Sequence, residues 1–550
     1  MLIIGDLSGI QDYLFDVANE GGQQAKRLRS RSFFVQLAAE CLALRVMKAA
    51  SCSNENLLFC GAGKFIIQVV SLTDEQQQAL LIEQRQMNEW LLVETNGQLR
   101  LSLAVGETGD TPRTLYENTM QALQRQKLRA WSMTSTKGSE WQTDSLILKP
   151  LDNPCELCGR RSGVIQEVED DGWQLVCIRC HDDRQMGKAL PRTRWIALSE
   201  TAQAAGKVFH LPGWRVTLHH DRPLEKSEAL IHLTNSEQDS TAEPGVFNRA
   251  LARHIPANSD GRPIEFGNLA KRARGDDLLA VLKADADSLG AFFNRLLEDA
   301  KDLSPLSRFS REMDDFFGVT LDREVSKFDW DLIYTVFAGG DDLLLVGPWD
   351  VVFDFAAHAN EMFKQKFGQR GLTISAGMSF MKPKRPIKQA VEQAADLLDT
   401  AKTKSAPRAE APKDQIAAFG QIWKWGDHAA ITQNAKQLTD WVNSEERIAE
   451  RGWLQTLLRL AEWRQRKEAI DAKPIDRMIG AMATSRLFYF VSRNFPGKND
   501  RNPEKRKLRQ WADRLIDDFD AAKNVETIYL STIVRYALTA TRTVNSEDLK

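Results

Sequence analysis

The sequence predicts an α+β multidomain protein: two ferredoxin-like palm domains, a middle domain carrying a cysteine knuckle, and an all-α C-terminal domain. Three observations carry this reading. One succession of apolar runs and helical stretches occurs twice, two close cysteine pairs fall between the copies, and strand signals fade after about residue 417. The expected boundaries are 1–145, 146–275, 276–412 and 413–550, with Ala406–Lys413, containing Pro407 and Pro412, as the last linker.

In the first copy, Leu2–Asp6 reads as a buried strand ending in a carboxylate, followed by an amphipathic helix over Ser30–Ala50. The runs Asn56–Cys60 and Lys64–Val70, split by Gly61-Ala62-Gly63, predict a hairpin. A helix over Asp74–Val93, a strand over Gln98–Val105 and a helix over Arg113–Trp131 complete the unit. The second copy repeats the order. Leu278–Asp285 is the first strand and Ser304–Phe317 a helix. Leu332–Ala338 and Leu343–Val346 flank Gly339-Gly340-Asp341-Asp342. The helix Val351–Phe367, the strand Leu372–Phe380 and the helix Ile387–Ser405 follow. Asp6 stands 55 positions before Gly61, and Asp285 stands 54 before Gly339, so the copies agree in spacing as well as order. Both read βαββαβ plus a closing helix, the arrangement of polymerase and cyclase palms. In the middle segment, Thr193–Leu198, Gly213–His219 and Ala229–Thr234 read as short strands.

Composition bounds the function. The 550 residues suit three to four domains at ~150 residues each. With 43% apolar and 27% charged residues the chain belongs with soluble globular proteins, which excludes disordered, collagen-like and low-complexity classes. The net charge of −2 predicts no overall attraction to nucleic acid or membrane, so any such contact needs a local patch. Phe33–Ala50, the most apolar helical stretch, contains Gln36, Glu40, Arg45 and Lys48 and cannot span a bilayer. Met1–Asp6 has no secretory pattern, so a cytoplasmic protein without a membrane partner is expected.

Cys155-x-x-Cys158, 18 residues, then Cys177-x-x-Cys180 offers four thiolates in a closed tetrahedral set, which suits a structural Zn²⁺. His181 and Asp182 beside it read as neighbours, and Cys41, Cys52 and Cys60 as small buried apolar groups. In the second copy, Gly339 and Gly340 clear room for a phosphate to approach the backbone. Asp341 and Asp342 at one turn are costly together unless they bind cations. Asp285 ends the preceding strand, followed by Ala286 and Asp287. Asp285, Asp341 and Asp342 therefore form the expected two-metal set, holding Mg²⁺ or Mn²⁺ for phosphoryl transfer, with the Ala286 carbonyl as an extra ligand. The first copy keeps Asp6, but its hairpin reads Gly61-Ala62-Gly63-Lys64. It is read as a degenerate palm that binds a nucleotide beside Gly61 and Gly63 without assembling metals. Lys402 in the closing helix is a candidate triphosphate contact. The basic clusters at Arg27, Arg29 and Arg31, at Lys382, Lys384 and Arg385, and at Lys505–Arg509 read either as phosphate contacts or as solvated faces. The tryptophans of the tail read as helical core.

Gly5-Asp6-Leu7-Ser8-Gly9-Ile10-Gln11, followed by Arg29-Ser30-Arg31-Ser32-Phe33, resembles the opening of the first palm in the large subunit of type III CRISPR effector complexes, of the Csm type. The paired knuckles, Lys283–Gly290 and the Gly-Gly-Asp-Asp hairpin follow in that family's order, across nearly the whole chain. The resemblance implies a nucleotidyltransferase that makes cyclic oligoadenylates from ATP, one ATP in each palm, when guide crRNA captures target RNA. It implies small and backbone subunits as partners. It points to Ser32 and Ser307 as adenine contacts, with Ser310 close to the second, and to a helical tail that lies along RNA. The family's HD nuclease domain has no counterpart segment here, and no nuclease of that type is expected. Two rival readings differ in output: joining ATP to another adenosine compound such as S-adenosylmethionine, or a non-catalytic scaffold. A diguanylate cyclase fits less well, because such enzymes pair identical palms.

Overall fold

Leu2–Ser8 is almost wholly buried because it is paired on both sides, antiparallel to Lys64–Gln68 and to Arg100–Gly106. Its apolar run reflects that central place. The computed structural model describes all residues except 16–23, 62, 107–108, 130, 132–135, 138–139, 142–150, 170–171, 201–206, 225–226, 235–242, 244, 251–253, 260–262, 469–472 and 543–550. The domain boundary expected at 145/146 lies outside the described residues. No helix among the described residues is long and apolar enough to cross a membrane.

Two compact units are present. One comprises 1–265, 288–345 and 384–389, the other 266–287, 346–383 and 390–550. Their border passes through the second copy of the repeat, along the strand Asp342–Pro348.

The first unit holds a four-stranded sheet in the order Leu57–Gly61, Lys64–Gln68, Leu2–Ser8, Arg100–Gly106. This is the strand order of a βαββαβ ferredoxin-like sheet. Gly5 is required at its centre, since a Cβ there would enter the Phe65 ring at 2.0 Å. Leu297, Leu303 and Leu306, from the second copy's first helices, pack with Leu2, Ile4, Ile66 and Leu123 into one core. A five-stranded sheet follows in the middle segment, ordered Val208–Leu211, Trp214–His219, Trp195–Ser199, Ala229–Thr234, Val246–Ala250.

The helix Gln24–Ala49 starts six residues before the expected Ser30. Its first turns bury Arg27, Arg29 and Arg31, at 2, 7 and 4% exposure. These arginines are neither a solvated face nor free phosphate contacts. Arg27 donates to the Leu157 carbonyl (3.5 Å) and to Cys180 Sγ (3.6 Å), and Arg29 to the Gly187 carbonyl (2.7 Å). Arg31 pairs with Asp183 at 3.2 Å, and Arg179 reaches the same carboxylate at 3.3 Å. Asp183 is 1% exposed. Asp183→Ala would leave two guanidinium groups without their counter-charge below the surface, and is expected to cost about 3–5 kcal/mol. Chemical denaturation of wild type and variant measures this directly.

The second copy contributes to a six-stranded sheet in the order Tyr334–Gly339, Asp342–Pro348, Leu279–Ala286, Ile374–Met381, Gln415–Ala418, Gln421–Lys424. Its first four strands repeat the order of the first sheet. The last two correct the expectation that 413–550 is entirely helical. Gln415–Ala418 is buried throughout and pairs parallel with Ile374–Met381. The chain then reverses through Phe419 and Gly420, both at positive φ (49° and 81°), into Gln421–Lys424. Between Trp425 and Ala540 the described residues form helices joined by loops, with Trp441 and Trp511 buried among them and Trp423 buried on the preceding strand.

Candidate active site

Among the described residues of the two hairpin tips, Gly63 and Gly340 are left-handed, at φ 78° and 64°. Gly61 and Gly339 are not in that region. A Cβ at Gly339 would meet nothing nearer than 4.0 Å, whereas one at Gly61 would sit 3.3 Å from Asp314 Oδ1. Gly61 and Lys64 face each other across the first hairpin. Lys64 thus opens its strand where Asp342 opens the matching strand of the second hairpin. The carboxylate of the second copy is a cation in the first. Burial pushes the Asp341 carboxyl above its ordinary range, and the charge of Lys64 partly offsets this.

Both tips border one cavity of about 440 Å³ within the first unit, lined by Gly61 on one side and Gly339 and Gly340 on the other. Its walls mix apolar side chains, among them Phe33, Leu58, Ile231 and Phe247, with polar and charged ones. Five charged residues that the sequence analysis did not single out as site residues line it: Glu40, Arg249, Arg311, Asp314 and Asp315. Glu40 and Arg249 form an ion pair, with a second contact at 2.9 Å. Asp314 accepts the Gly340 N–H at 3.2 Å. Glu40 carried a signal, because an acid inside the apolar stretch Phe33–Ala50 needs a buried partner. Asp314, in the Asp314-Asp315 pair, reads locally as a solvated helix end and carried none.

Removal from bulk water pushes the Asp314 carboxyl up to about 7, against the opposing pull of the Gly340 N–H and Arg249. The unfolded chain holds this group near 4. The folded state therefore binds the extra proton between these values, and stability falls as pH rises through that window. Asp314→Asn removes this contribution. Relative to that variant, the wild-type melting temperature is expected to drop between about pH 5 and 7 and to run level above. Asp341 acts in the same direction, so the difference between the two proteins isolates Asp314.

In the second unit, Asp285 is the penultimate residue of Leu279–Ala286 and is ion-paired with Lys402. Burial, reinforced by Lys413 and Lys283, lowers Lys402 to about 8. Lys402 is thus the partner of the strand acid here, not a free cation awaiting phosphate. The first unit repeats the device: Lys127, in its own closing helix, meets Asp6 at 2.7 Å, and Ser8 donates to the same carboxylate. Asp287 is a structural acid that accepts from Thr373 and Ser375 (2.8 Å each) and from the Asp414 N–H (3.0 Å). Ser32 lies buried in the long helix. Ser307 donates to the Leu58 carbonyl at 2.8 Å and accepts from Arg311 at 3.1 Å, so its hydroxyl is engaged with the first hairpin. Neither serine lines the cavity, although Phe33 and Arg311 do.

Cys155, Cys158, Cys177 and Cys180 bring their sulfurs within 4.8 Å of one another, and none is disulfide-bonded. Among the described residues this is the one group of three or more Cys, His, Asp or Glu ligand atoms so close together. Tetrahedral zinc with bonds of about 2.3 Å spaces its sulfurs at about 3.8 Å. Cys158 and Cys177 stand 3.9 Å apart, which fits. His181 is held by Glu167 and Asp182 by Lys207, so neither belongs to the thiolate set.

Residues 1–143 match the family model "Csm1 subunit domain B", and residues 278–417 match "Cas10/Cmr2, second palm domain". The chain is similar to the CRISPR system single-strand-specific deoxyribonuclease Cas10/Csm1 (subtype III-A) of Thermococcus onnurineus. It is 26% identical over 440 residues, covering 74% of this chain and 54% of that protein. It is also similar to the protein of that name from Mycobacterium tuberculosis, 26% identical over 571 residues, covering 96% of this chain and 66% of that one. The fold resembles the crystal structure of a Csm1-Csm4 subcomplex from the type III-A interference complex, at TM-score 0.69 and 19% identity, over 98% of this chain and 70% of that chain. It also resembles a Csm1-Csm4 cassette in complex with cA4, at TM-score 0.68 and 18% identity, over 98% and 70%. The chain thus spans about half the length of the first of these relatives.

Proposed function

The chain belongs to the Cas10/Csm1 family of type III-A CRISPR large subunits, and from that premise we propose that it is a nucleotidyltransferase making 3′–5′-linked cyclic oligoadenylates from ATP. The observation that carries the reading is the shared cavity: both hairpin tips border it, and only the second tip keeps its acids. Solved relatives of the same fold hold cA4, cA3 and ATP, which supports it.

In this reading the first palm holds the acceptor nucleotide beside Gly61, Gly63 and Ser32, and the second holds the donor beside Gly339, Gly340 and Ser307. The acceptor's 3′-hydroxyl attacks the donor's α-phosphate and pyrophosphate leaves. Asp341, Asp342 and Asp285 are the acids that would hold Mg²⁺ or Mn²⁺, with the Ala286 carbonyl as a further donor. Such ions, when bound, supply the positive charge that neutralises the α-phosphate and the leaving pyrophosphate. Their donor chemistry fits, since Asp341 is a partly desolvated carboxyl that favours nearby positive charge. Asp285 must exchange Lys402 for that role, which frees Lys402 for the triphosphate. The first palm, with Lys64 in place of an acid, has no equivalent set.

The four-cysteine knuckle is assigned a structural Zn²⁺ with no open position. We assign the chain to a multisubunit complex with guide crRNA, target RNA, and small and backbone subunits, the helical tail lying along RNA. Incubating the assembled complex with α-labelled ATP and Mg²⁺ or Mn²⁺, with and without target RNA, tests the proposal. Target-dependent cyclic oligoadenylates are expected, and absence of any product would leave a scaffold.

A further inference from the structure

Arg27 is a buried cation without an acid. It is 2% exposed, its Nε meets no acceptor, and no carboxylate pairs with it among the described residues. Three acids of the adjoining knuckle are already taken. Asp183 serves Arg31 and Arg179, Glu167 serves His181 and Arg184, and Asp182 serves Lys207. A guanidinium enclosed in this way is unfavourable unless an opposite charge compensates it.

What Arg27 does touch is the four-cysteine knuckle, and it spans both halves. It donates to the carbonyl of Leu157, inside Cys155-x-x-Cys158, and to Sγ of Cys180, which closes Cys177-x-x-Cys180. Among the described residues it is the one side chain outside the set that donates to any of the four sulfurs. The other N–H that reaches a sulfur is the main chain of Cys180, on Cys177. Four thiolates around one divalent ion leave an excess of negative charge. The knuckle lacks a cation, and Arg27 lacks an anion.

Resting on the structural zinc assigned above, we infer that Arg27 is a positioning residue for that metal: its guanidinium is the counter-charge of the loaded thiolate set and holds Cys180 Sγ by an N–H···S bond. Groups that hydrogen-bond a metal's ligands orient them and tune the metal. Removing the guanidinium leaves the excess charge uncompensated below the surface, so the metal is held less tightly. The same bond draws charge from the sulfur, so moving an electron from sulfur to metal takes more energy while Arg27 is present. The basic run that opens the long helix thus contributes to the metal site.

The full-length chain tests this in two measurements, zinc affinity by competition with a chelator at fixed pH under reducing conditions, and the sulfur-to-metal charge-transfer band of the cobalt-substituted protein. Arg27→Met is expected to weaken zinc by at least about tenfold and to move the band to longer wavelength. Arg27→Gln, which keeps N–H donors without the charge, is expected to show the same loss of affinity and serves where Arg27→Met does not fold. Arg29→Met is the control. Arg29 is buried in the same turns and also holds the knuckle helix, through the Gly187 carbonyl, but touches no sulfur. That variant is expected to melt earlier with zinc affinity and band unchanged. Wild-type affinity and band in both Arg27 variants, or an equal loss of zinc in Arg29→Met, would overturn the assignment. A wild type whose four cysteines take up neither zinc nor cobalt removes the zinc assignment itself, and the role of Arg27 with it.

Discussion

Asp342→Ala is expected to cut product from α-labelled ATP by at least ~10³-fold while the complex still assembles on its guide. The two halves of this expectation have separate grounds. The loss of chemistry follows from charge: a triphosphate approaching the second hairpin needs cations, and in the proposed reaction the carboxylates of that hairpin would hold them. Removing one leaves a site like that of the first palm, where Lys64 opens the matching strand. Intact assembly follows from placement. Asp342 is only partly buried, at the outer end of a strand whose following residues, Leu343 to Pro348, supply the core. Truncating a half-buried side chain at a strand end costs on the order of 1 kcal/mol, below the roughly 5–15 kcal/mol that holds a domain folded. Product analysis and co-elution of subunits are the two readouts. A purified Asp342→Ala complex that still consumes ATP when target RNA is present would remove Asp342 from the reaction.

The strands and hairpins were legible in the sequence because their apolar runs are short, buried on both faces and bounded by glycine. The repeat was legible for the same reason, and the structure extends it with a feature no local pattern shows. The pairs Asp6–Lys127 and Asp285–Lys402 join the first strand of each copy to its closing helix. Each joins residues more than a hundred positions apart, so only the fold reveals them. Arg27, Arg29 and Arg31 were misread for a related cause. A basic run at the start of a helix looks solvated, yet its partners Leu157, Cys180, Asp183 and Gly187 arrive from the knuckle. Gln415–Ala418 and Gln421–Lys424 were hidden by their four-residue length and the helical signal that follows. The burial of Asp314 was hidden because its neighbours Gly61 and Gly340 come from two hairpins, which the helix itself cannot announce.

Cys177→Ser is expected to have the largest effect on stability and to reach the reaction from outside it. Cys177 does two jobs: it belongs to the thiolate set, and it caps the helix Ile178–Ala189, its sulfur accepting the Cys180 N–H at 3.4 Å. Serine is itself a favoured helix cap, so the substitution keeps the second job and removes the first. In small zinc-dependent folds the binding free energy of the metal, on the order of 10 kcal/mol, is folding free energy. With the zinc proposed above, loss of one thiolate should therefore empty the site and melt the knuckle early. The damage would not stop there. A Cβ on Gly187 would come within 2.1 Å of the Lys26 carbonyl oxygen, so the knuckle helix rests directly on the long helix. Arg29 ties that contact onward, donating to the Gly187 carbonyl at 2.7 Å and to the Tyr334 hydroxyl at 2.9 Å. Tyr334 begins the strand that ends at Gly339. Loosening the knuckle thus frees the base of the Gly-Gly-Asp-Asp hairpin, and product formation should fall with it. Metal analysis, a thermal melt and the labelled-ATP assay on one preparation check the three steps, with Cys52→Ser, outside the thiolate set, as the control. A Cys177→Ser protein that loses its zinc yet melts and turns over like wild type would break the link between knuckle and hairpin.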